Sequence, residues 1–150
     1  MSVSRGIERA LELESRYPAA AEMLRYYRGH PLAPSVCSVH VPLVAVLREE
    51  GRSLLCAHCL EEQPFRRMVC AFCGEEDHHK LPVFNAEEFP HIRIEACDTC
   101  GRYLKAIDLT RDGRAVPEVD DIASIALDLW AMEQGYARVE PNPLTEISRV

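Results

Sequence analysis

Apolar residues recur at helical spacing twice near the start of the chain. Ile7, Ala10 and Leu11 share one face of a first helix. Tyr17-Pro18 interrupts the pattern, and Pro18 suits the first position of a second helix. Ala20, Met23, Leu24 and Tyr27 share one face of that helix, so the spacing predicts a helical hairpin ending near Gly29, with residues 30–34 as a linker. From residue 37 to 110 the pattern changes. Short β-type runs over 41–47, 53–55, 65–69, 92–94 and 103–109 read as strands. Residues 74–91 are rich in Glu, Asp, His, Pro and Asn and read mostly as loop, with a turn at 111–114. Helical periodicity returns over 117–134. Ile122, Ile125, Ala126, Leu129 and Met132 form its apolar stripe, which Leu127 and Trp130 widen, and Trp130 is expected to be covered by the chain itself. Pro117 and Glu118 suit the start of this helix and Gly135 its end, while Asp120, Asp121 and Asp128 fit better as N-terminal dipole partners and a solvated face than as a carboxylate site. Residues 137–150 read as an extended tail.

Composition narrows the class. The 150 residues are 47% hydrophobic and 27% charged, values of a folded domain rather than a disordered or collagenous chain. Acidic residues outnumber basic ones 24 to 17, giving a formal charge of −7, the wrong sign for a general grip on nucleic-acid phosphates. Arg66-Arg67 and the Arg102/Lys105 pair are too few to build a basic face. The first residues lack the apolar core of a signal peptide, and no run approaches the roughly 20 residues that cross a bilayer. A soluble, cytoplasmic protein without membrane insertion is expected.

Seven cysteines change the picture. In a reducing compartment, clustered cysteines are metal ligands or redox centres more often than bridges. Cys56/Cys59, Cys70/Cys73 and Cys97/Cys100 are C-x2-C pairs, and Cys37 with His40 makes a C-x2-H pair. Two intervening residues let a tight turn aim both side chains at one ion. Thiolate and imidazole are zinc donors, and an all-thiolate set also takes iron. Eight ligands make two tetrahedral sites. The sequential solution joins Cys37/His40 to Cys56/Cys59 and Cys70/Cys73 to Cys97/Cys100, across gaps of 15 and 23 residues. The rival solution joins Cys56/Cys59 to Cys70/Cys73 across 10 residues and leaves the outer pairs to meet. The sequential one is preferred, because each unit then closes locally as a ribbon.

The expected ions are two zincs, with iron as the alternative at Cys70, Cys73, Cys97 and Cys100. Their expected role is structural, since thin ribbons bury too little apolar surface to hold themselves. A catalytic zinc keeps an open position, which four protein ligands close. No catalytic residue is expected and the chain reads as a non-enzyme. His58, inside a knuckle, is expected at the surface. His78-His79 are expected to be solvated, and His91 has no evident partner. The fold expected is α+β: a helical segment over 1–34, a first metal ribbon over 35–66, and a second ribbon with a C-terminal helix over 67–150.

Several segments resemble the formate dehydrogenase accessory proteins, the FdhE family. Residues 95–105 (EACDTCGRYLK) and 119–144 (VDDIASIALDLWAMEQGYARVEPNPL) are similar to its C-terminal module, 68–74 (MVCAFCG) to the approach to that module, and 37–65 to its central module. The resemblance implies two rubredoxin-like metal modules behind a helical N-terminal domain. It carries over Cys37, Cys56, Cys59, Cys70, Cys73, Cys97 and Cys100 as ligands, with His40 standing where a cysteine is usual. The helical part here is shorter than the family's N-terminal domain. The implied function is an accessory role in assembling formate dehydrogenase in the cytoplasm, by binding its catalytic subunit or a related molybdenum or tungsten enzyme. The alternative is a rubredoxin-like electron-transfer or thiol-redox protein.

Overall fold

A computed structural model of the chain describes residues 40–142, together with Glu8, Arg9, Glu12 and Cys37. The proposed N-terminal hairpin otherwise lies outside the described residues, as does the tail beyond 142. Glu8, Arg9 and Glu12 are helical.

The described strands form one six-stranded sheet. They are β1 (Pro42–Arg48), β2 (Gly51–Cys56), β3 (Glu62–Pro64), β4 (Val83–Asn85), β5 (Ile92–Ala96) and β6 (Tyr103–Asp108). Their order across the sheet is β3-β2-β1-β6-β5-β4. Neighbours are antiparallel except at the centre, where β1 and β6 run parallel with Ala45 beside Ala106. The sheet therefore runs through both expected ribbons.

The central strands have side chains buried on both faces, which is why 41–47 and 103–109 read as nearly unbroken apolar runs. Val44, Val46, Tyr103 and Ile107 face one layer, with Ile92, Ile94, Leu127 and Ala131. Ala45, Leu47, Leu104 and Ala106 face the other, against Leu54, Ala71 and Phe72. The helices α1 (Pro117–Ala123) and α2 (Ile125–Glu133) cover the first face.

Four expectations need correction. Residues 65–69 form no strand; the chain pairs earlier, at Glu62–Pro64, because the turn at 57–59 brings Glu62 opposite Leu55. The 74–91 segment is mostly loop, as expected, but the expected strands omit the edge strand β4 within it, where a single 3-10 turn (His78–Lys80) also forms. The helix expected over 117–134 is broken at Ser124, whose backbone (φ −91°, ψ 36°) leaves the α-helical region. The Ser124 hydroxyl donates to the carbonyls of Asp120 and Asp121, and the Lys105 ammonium from β6 donates to Ser124 Oγ and the Asp121 carbonyl. The Asp121 carbonyl, left open by the break, is satisfied in this way.

The fourth correction concerns which helix face is inside. Asp120, Asp121 and Asp128 are buried rather than solvated, while Leu129 and Met132 are exposed. The second helix is rotated so that Leu127, Asp128 and Ala131 face the sheet. Trp130 is half-buried and meets Phe84 of β4 edge-on, with ring centroids 4.8 Å apart.

Candidate metal centres

Two of the knuckles sit where hairpins turn. Cys56 and Cys59 lie between β2 and β3, and Cys97 and Cys100 between β5 and β6. The pair Cys70/Cys73 lies in the connection that follows β3. All three C-x2-C knuckles share one backbone pattern. The first cysteine donates its N–H to the carbonyl five residues on, and its own carbonyl accepts from the N–H four residues on. The carbonyl partners are Glu61, Glu75 and Arg102; the N–H partners are Leu60, Gly74 and Gly101. The residue after the second cysteine is left-handed each time: Leu60 (φ 60°), Gly74 (φ 80°) and Gly101 (φ 74°). Glycine adopts this conformation at little cost, so Leu60 carries strain that its counterparts do not.

The structure brings the eight sequence-derived candidates together in the sequential arrangement. Cys37, His40, Cys56 and Cys59 form one group, and Cys70, Cys73, Cys97 and Cys100 another. Within each, the four donor atoms lie within 4.8 Å of one another. Cys37 and Cys56 sulfurs are 3.8 Å apart, and Cys59 Sγ lies 3.4 Å from His40 Nδ1. In the second group, Cys70 to Cys100 is 3.7 Å and Cys73 to Cys97 is 3.6 Å. Tetrahedral zinc–sulfur bonds of about 2.3 Å put neighbouring sulfurs roughly 3.8 Å apart, so each group can hold one ion. None of the seven cysteines, all of them among the described residues, is in a disulfide.

Electrostatics within each group fits a dication. Burial opposes ionisation of Cys56, yet the N–H groups of Cys59 and His58 outweigh it and hold the thiol at about 6. The His58 N–H lies 3.4 Å from that sulfur. Cys37 goes the other way, pushed up to about 11 by burial and by Cys56 and Cys59. Cys70 repeats the first case: burial opposes, and the N–H groups of Cys73 and Phe72 hold it below the ordinary thiol range. Burial pushes Cys100 up to about 12, and neighbouring Cys70 and Cys97 add to the effect. One thiolate forms readily in each group, at Cys56 and Cys70, while Cys37 and Cys100 resist. A bound cation removes that repulsion. Zinc suits both donor sets, and the all-sulfur set is also an iron set.

Sequence reasoning missed a second kind of constellation, a buried ionic network beneath the helices. Lys105 is enclosed, with Nζ 2.7 Å from Asp128 Oδ2 and 2.9 Å from Asp121 Oδ1. Arg138 donates to Asp121 Oδ2 (2.8 Å), Asp128 Oδ1 (3.0 Å) and the Leu43 carbonyl (2.9 Å). The Tyr103 hydroxyl and the Asn142 amide also donate to Asp128. Two cations thus face two carboxylates. A second cluster centres on Asp120, which Arg9 engages through two nitrogens and to which His91 Nε2 lies 2.8 Å away. His91 does therefore have a partner. The signal available in the sequence was Lys105 inside an apolar strand run.

The segment carrying Arg138 also touches both knuckle regions. The Tyr136 hydroxyl donates to Asp98, between Cys97 and Cys100 of the second centre, at 2.6 Å. Glu140 lies 4.0 Å from His58, between Cys56 and Cys59 of the first, and His58 is exposed as expected.

Comparison with known proteins agrees with this architecture. Residues 54–145 match a family described as FdhE, C-terminal domain. A protein FdhE homolog of Aquifex aeolicus is 45% identical over 119 residues, which cover 79% of this chain and 42% of that one. A protein FdhE homolog of Pseudomonas aeruginosa is 34% identical over 112 residues, covering 69% and 36%. The crystal structure of the FdhE protein from Pseudomonas aeruginosa superposes with a TM-score of 0.62 at 36% identity, covering 67% of this chain and 37% of that one. The matched region is thus less than half the length of these relatives.

Proposed function

The chain belongs to the FdhE family, and from that premise we propose that it is an accessory factor in the maturation of formate dehydrogenase. On this reading it binds the catalytic subunit, or a related molybdenum or tungsten enzyme, through a surface that two metal ions hold in shape. Residues 35–66 carry the first ion, at Cys37, His40, Cys56 and Cys59. Residues 67–150 carry the second, at Cys70, Cys73, Cys97 and Cys100.

The observation that carries the proposal is the coincidence of the family match with two four-donor groups set on one sheet. Four protein donors leave an ion no open position for substrate, which favours a binding role over catalysis. Zinc is the ion proposed for both centres. The proposed setting is the cytoplasm, without nucleic acid. No helix of the described residues is long and apolar enough to cross a membrane.

The test is affinity capture from the native host grown with formate, with Cys97→Ser as control. Recovery of a formate dehydrogenase catalytic subunit by the native chain, lost in the variant, is the expected result. Capture of another molybdenum enzyme keeps the mechanism and changes the client. A folded, metallated chain that captures neither overturns the reading.

The all-sulfur second centre favours one other reading, a rubredoxin-like electron carrier. That reading requires iron bound by Cys70, Cys73, Cys97 and Cys100. A colourless, redox-silent protein purified without oxygen rejects it.

A further inference from the structure

Outside the two cysteine groups, a third set of donors converges on the 3-10 turn His78–Lys80, in the connection between Cys73 and Cys97. Asp77, His78 and His79 each offer one ligand atom, and these atoms lie within 4.8 Å of one another. All three residues are exposed. The imidazole centroids of His78 and His79 are 4.1 Å apart and tilted by 37°. The neighbouring sequence alone suggests solvated histidines, because adjacent residues usually diverge; here the turn gathers them.

The backbone of this turn is held from several sides. Asp77 Oδ1 accepts from the His79 N–H at 3.0 Å. The N–H groups of Lys80 and Leu81 close on the carbonyls of Asp77 and His78. Glu75 places one carboxylate oxygen on the N–H groups of Glu76 and Asp77, and the other on the Thr99 hydroxyl. The Lys80 carbonyl accepts from the Asp98 N–H at 2.8 Å. Thr99 and Asp98 belong to the knuckle between Cys97 and Cys100, so the turn is tied to the rim of the second centre. The backbone that carries the donors is thus fixed before any ion arrives, which lowers the cost of binding.

We propose that Asp77, His78 and His79 form a third cation site, open where the other two are closed. Two imidazoles and one carboxylate suit a borderline divalent cation such as Ni²⁺, Cu²⁺ or Zn²⁺. Three protein ligands leave further positions to water or to a donor from a docked partner. The site holds an exchangeable ion, in contrast to the closed thiolate centres. This inference is independent of the accessory role.

The test uses the full chain carrying two equivalents of zinc, dialysed against Ni²⁺ with both metals quantified. The expected result is one nickel per chain at micromolar free Ni²⁺, with both zincs retained. His78→Ala/His79→Ala should weaken nickel binding at least about tenfold and leave the zinc count unchanged. Asp77→Asn keeps a capping side chain but removes the charge, and should weaken binding less. His58→Ala should have no effect. Equal nickel binding by the native chain and the double variant overturns the proposal, as does a loss that follows His58→Ala instead. Proton NMR of the unaltered chain gives a readout that needs no variant. Substoichiometric Ni²⁺ should broaden the His78 and His79 ring signals first, and unbroadened signals overturn the site. Failure of the chain to hold two zincs would count against the thiolate centres and leave the nickel result to stand on its own.

Discussion

Lys105 Nζ stands 2.7 Å from Asp128 Oδ2, and neither side chain is open to water. A buried pair of this kind adds little over a well-packed apolar pair, but removing one partner strands the other. Lys105→Met should therefore cost about 3–5 kcal/mol, because Asp121 and Asp128 would be left with a single cation, Arg138. Urea unfolding would measure it. Lys105→Met combined with Asp128→Leu should recover part of the loss, and a single variant as stable as the native chain would show that the network relaxes around the missing charge.

The buried carboxylates of both clusters set the pH range of stability. Burial opposes ionisation of Asp120, but His91 and Arg9 outweigh it and hold its carboxyl below the ordinary range. Lys105 and Arg138 do the same for Asp128 against a similar burial. A depressed folded pKa contributes stability above the unfolded value, about 3.9, that is lost as pH falls through the folded one. Tyr103 is shifted the opposite way: burial and the Asp128 carboxylate raise it. Its contribution is present below about 10 and is lost as pH rises through the folded value. Thermal unfolding across pH should show decline at both ends. Asp128→Asn should blunt both limbs, since it removes one carboxylate and the charge that raises Tyr103.

Gly101 offers a test of the knuckle backbone. A Cβ at this position would meet nothing within 4 Å, so any penalty comes from its φ of 74°. Gly101→Ala should cost about 1–2 kcal/mol, and Gly101→Asn less, because asparagine tolerates the left-handed region. Gly74→Ala should behave alike. Equal stability of the Ala and Asn variants would place the cost in packing rather than in backbone conformation.

Removing the ions should be more damaging than any of these substitutions. Structural zinc contributes folding energy outright. Chelation should lower the melting temperature of the chain. Cys97→Ser should lose metal from the second centre while Cys37, His40, Cys56 and Cys59 keep theirs. Metal analysis and near-ultraviolet circular dichroism of the variant would check it; a folded variant with full metal content would show that Cys97 is dispensable.

His40 provides a complementary prediction. It supplies the nitrogen of the first donor set, beside Cys59. His40→Cys should keep the fold and make that centre all-sulfur, raising its acceptance of iron when the protein is produced in iron-rich medium. Iron content unchanged by the substitution would mean that the surroundings, not the donor atoms, choose the ion.

The knuckles were legible because ligand spacing is local and only a few residue types can do the chemistry. Cys56, Cys70 and Cys97 each announce themselves through a partner three residues on. The central strands were legible for a different reason: both faces are buried, so Val44–Leu47 and, apart from Lys105, Leu104–Ile107 are apolar throughout. The buried charges were not. Asp120, Asp121 and Asp128 look like solvated positions on a helical wheel, and their partners Arg9, His91, Lys105 and Arg138 come from distant parts of the chain. The rotation of the second helix follows from those pairings, so its true inner face was hidden as well. Strand β4 escaped notice because three residues at a sheet edge carry almost no periodicity.

The parallel pairing of β1 with β6 also bears on how the chain is made. On a ribosome, β1 and β2 can join as soon as their hairpin emerges. The other edge of β1, with Val44, Ala45 and Val46 among its residues, has to wait for Tyr103–Asp108. Throughout that interval the nascent chain presents a bare strand that is apolar on both sides, the kind of edge that recruits unrelated chains. Production should therefore be most prone to aggregation when synthesis outruns the supply of general chaperones. Weaker expression, which leaves fewer such chains exposed at once, should raise soluble yield even though the finished sheet closes that edge completely.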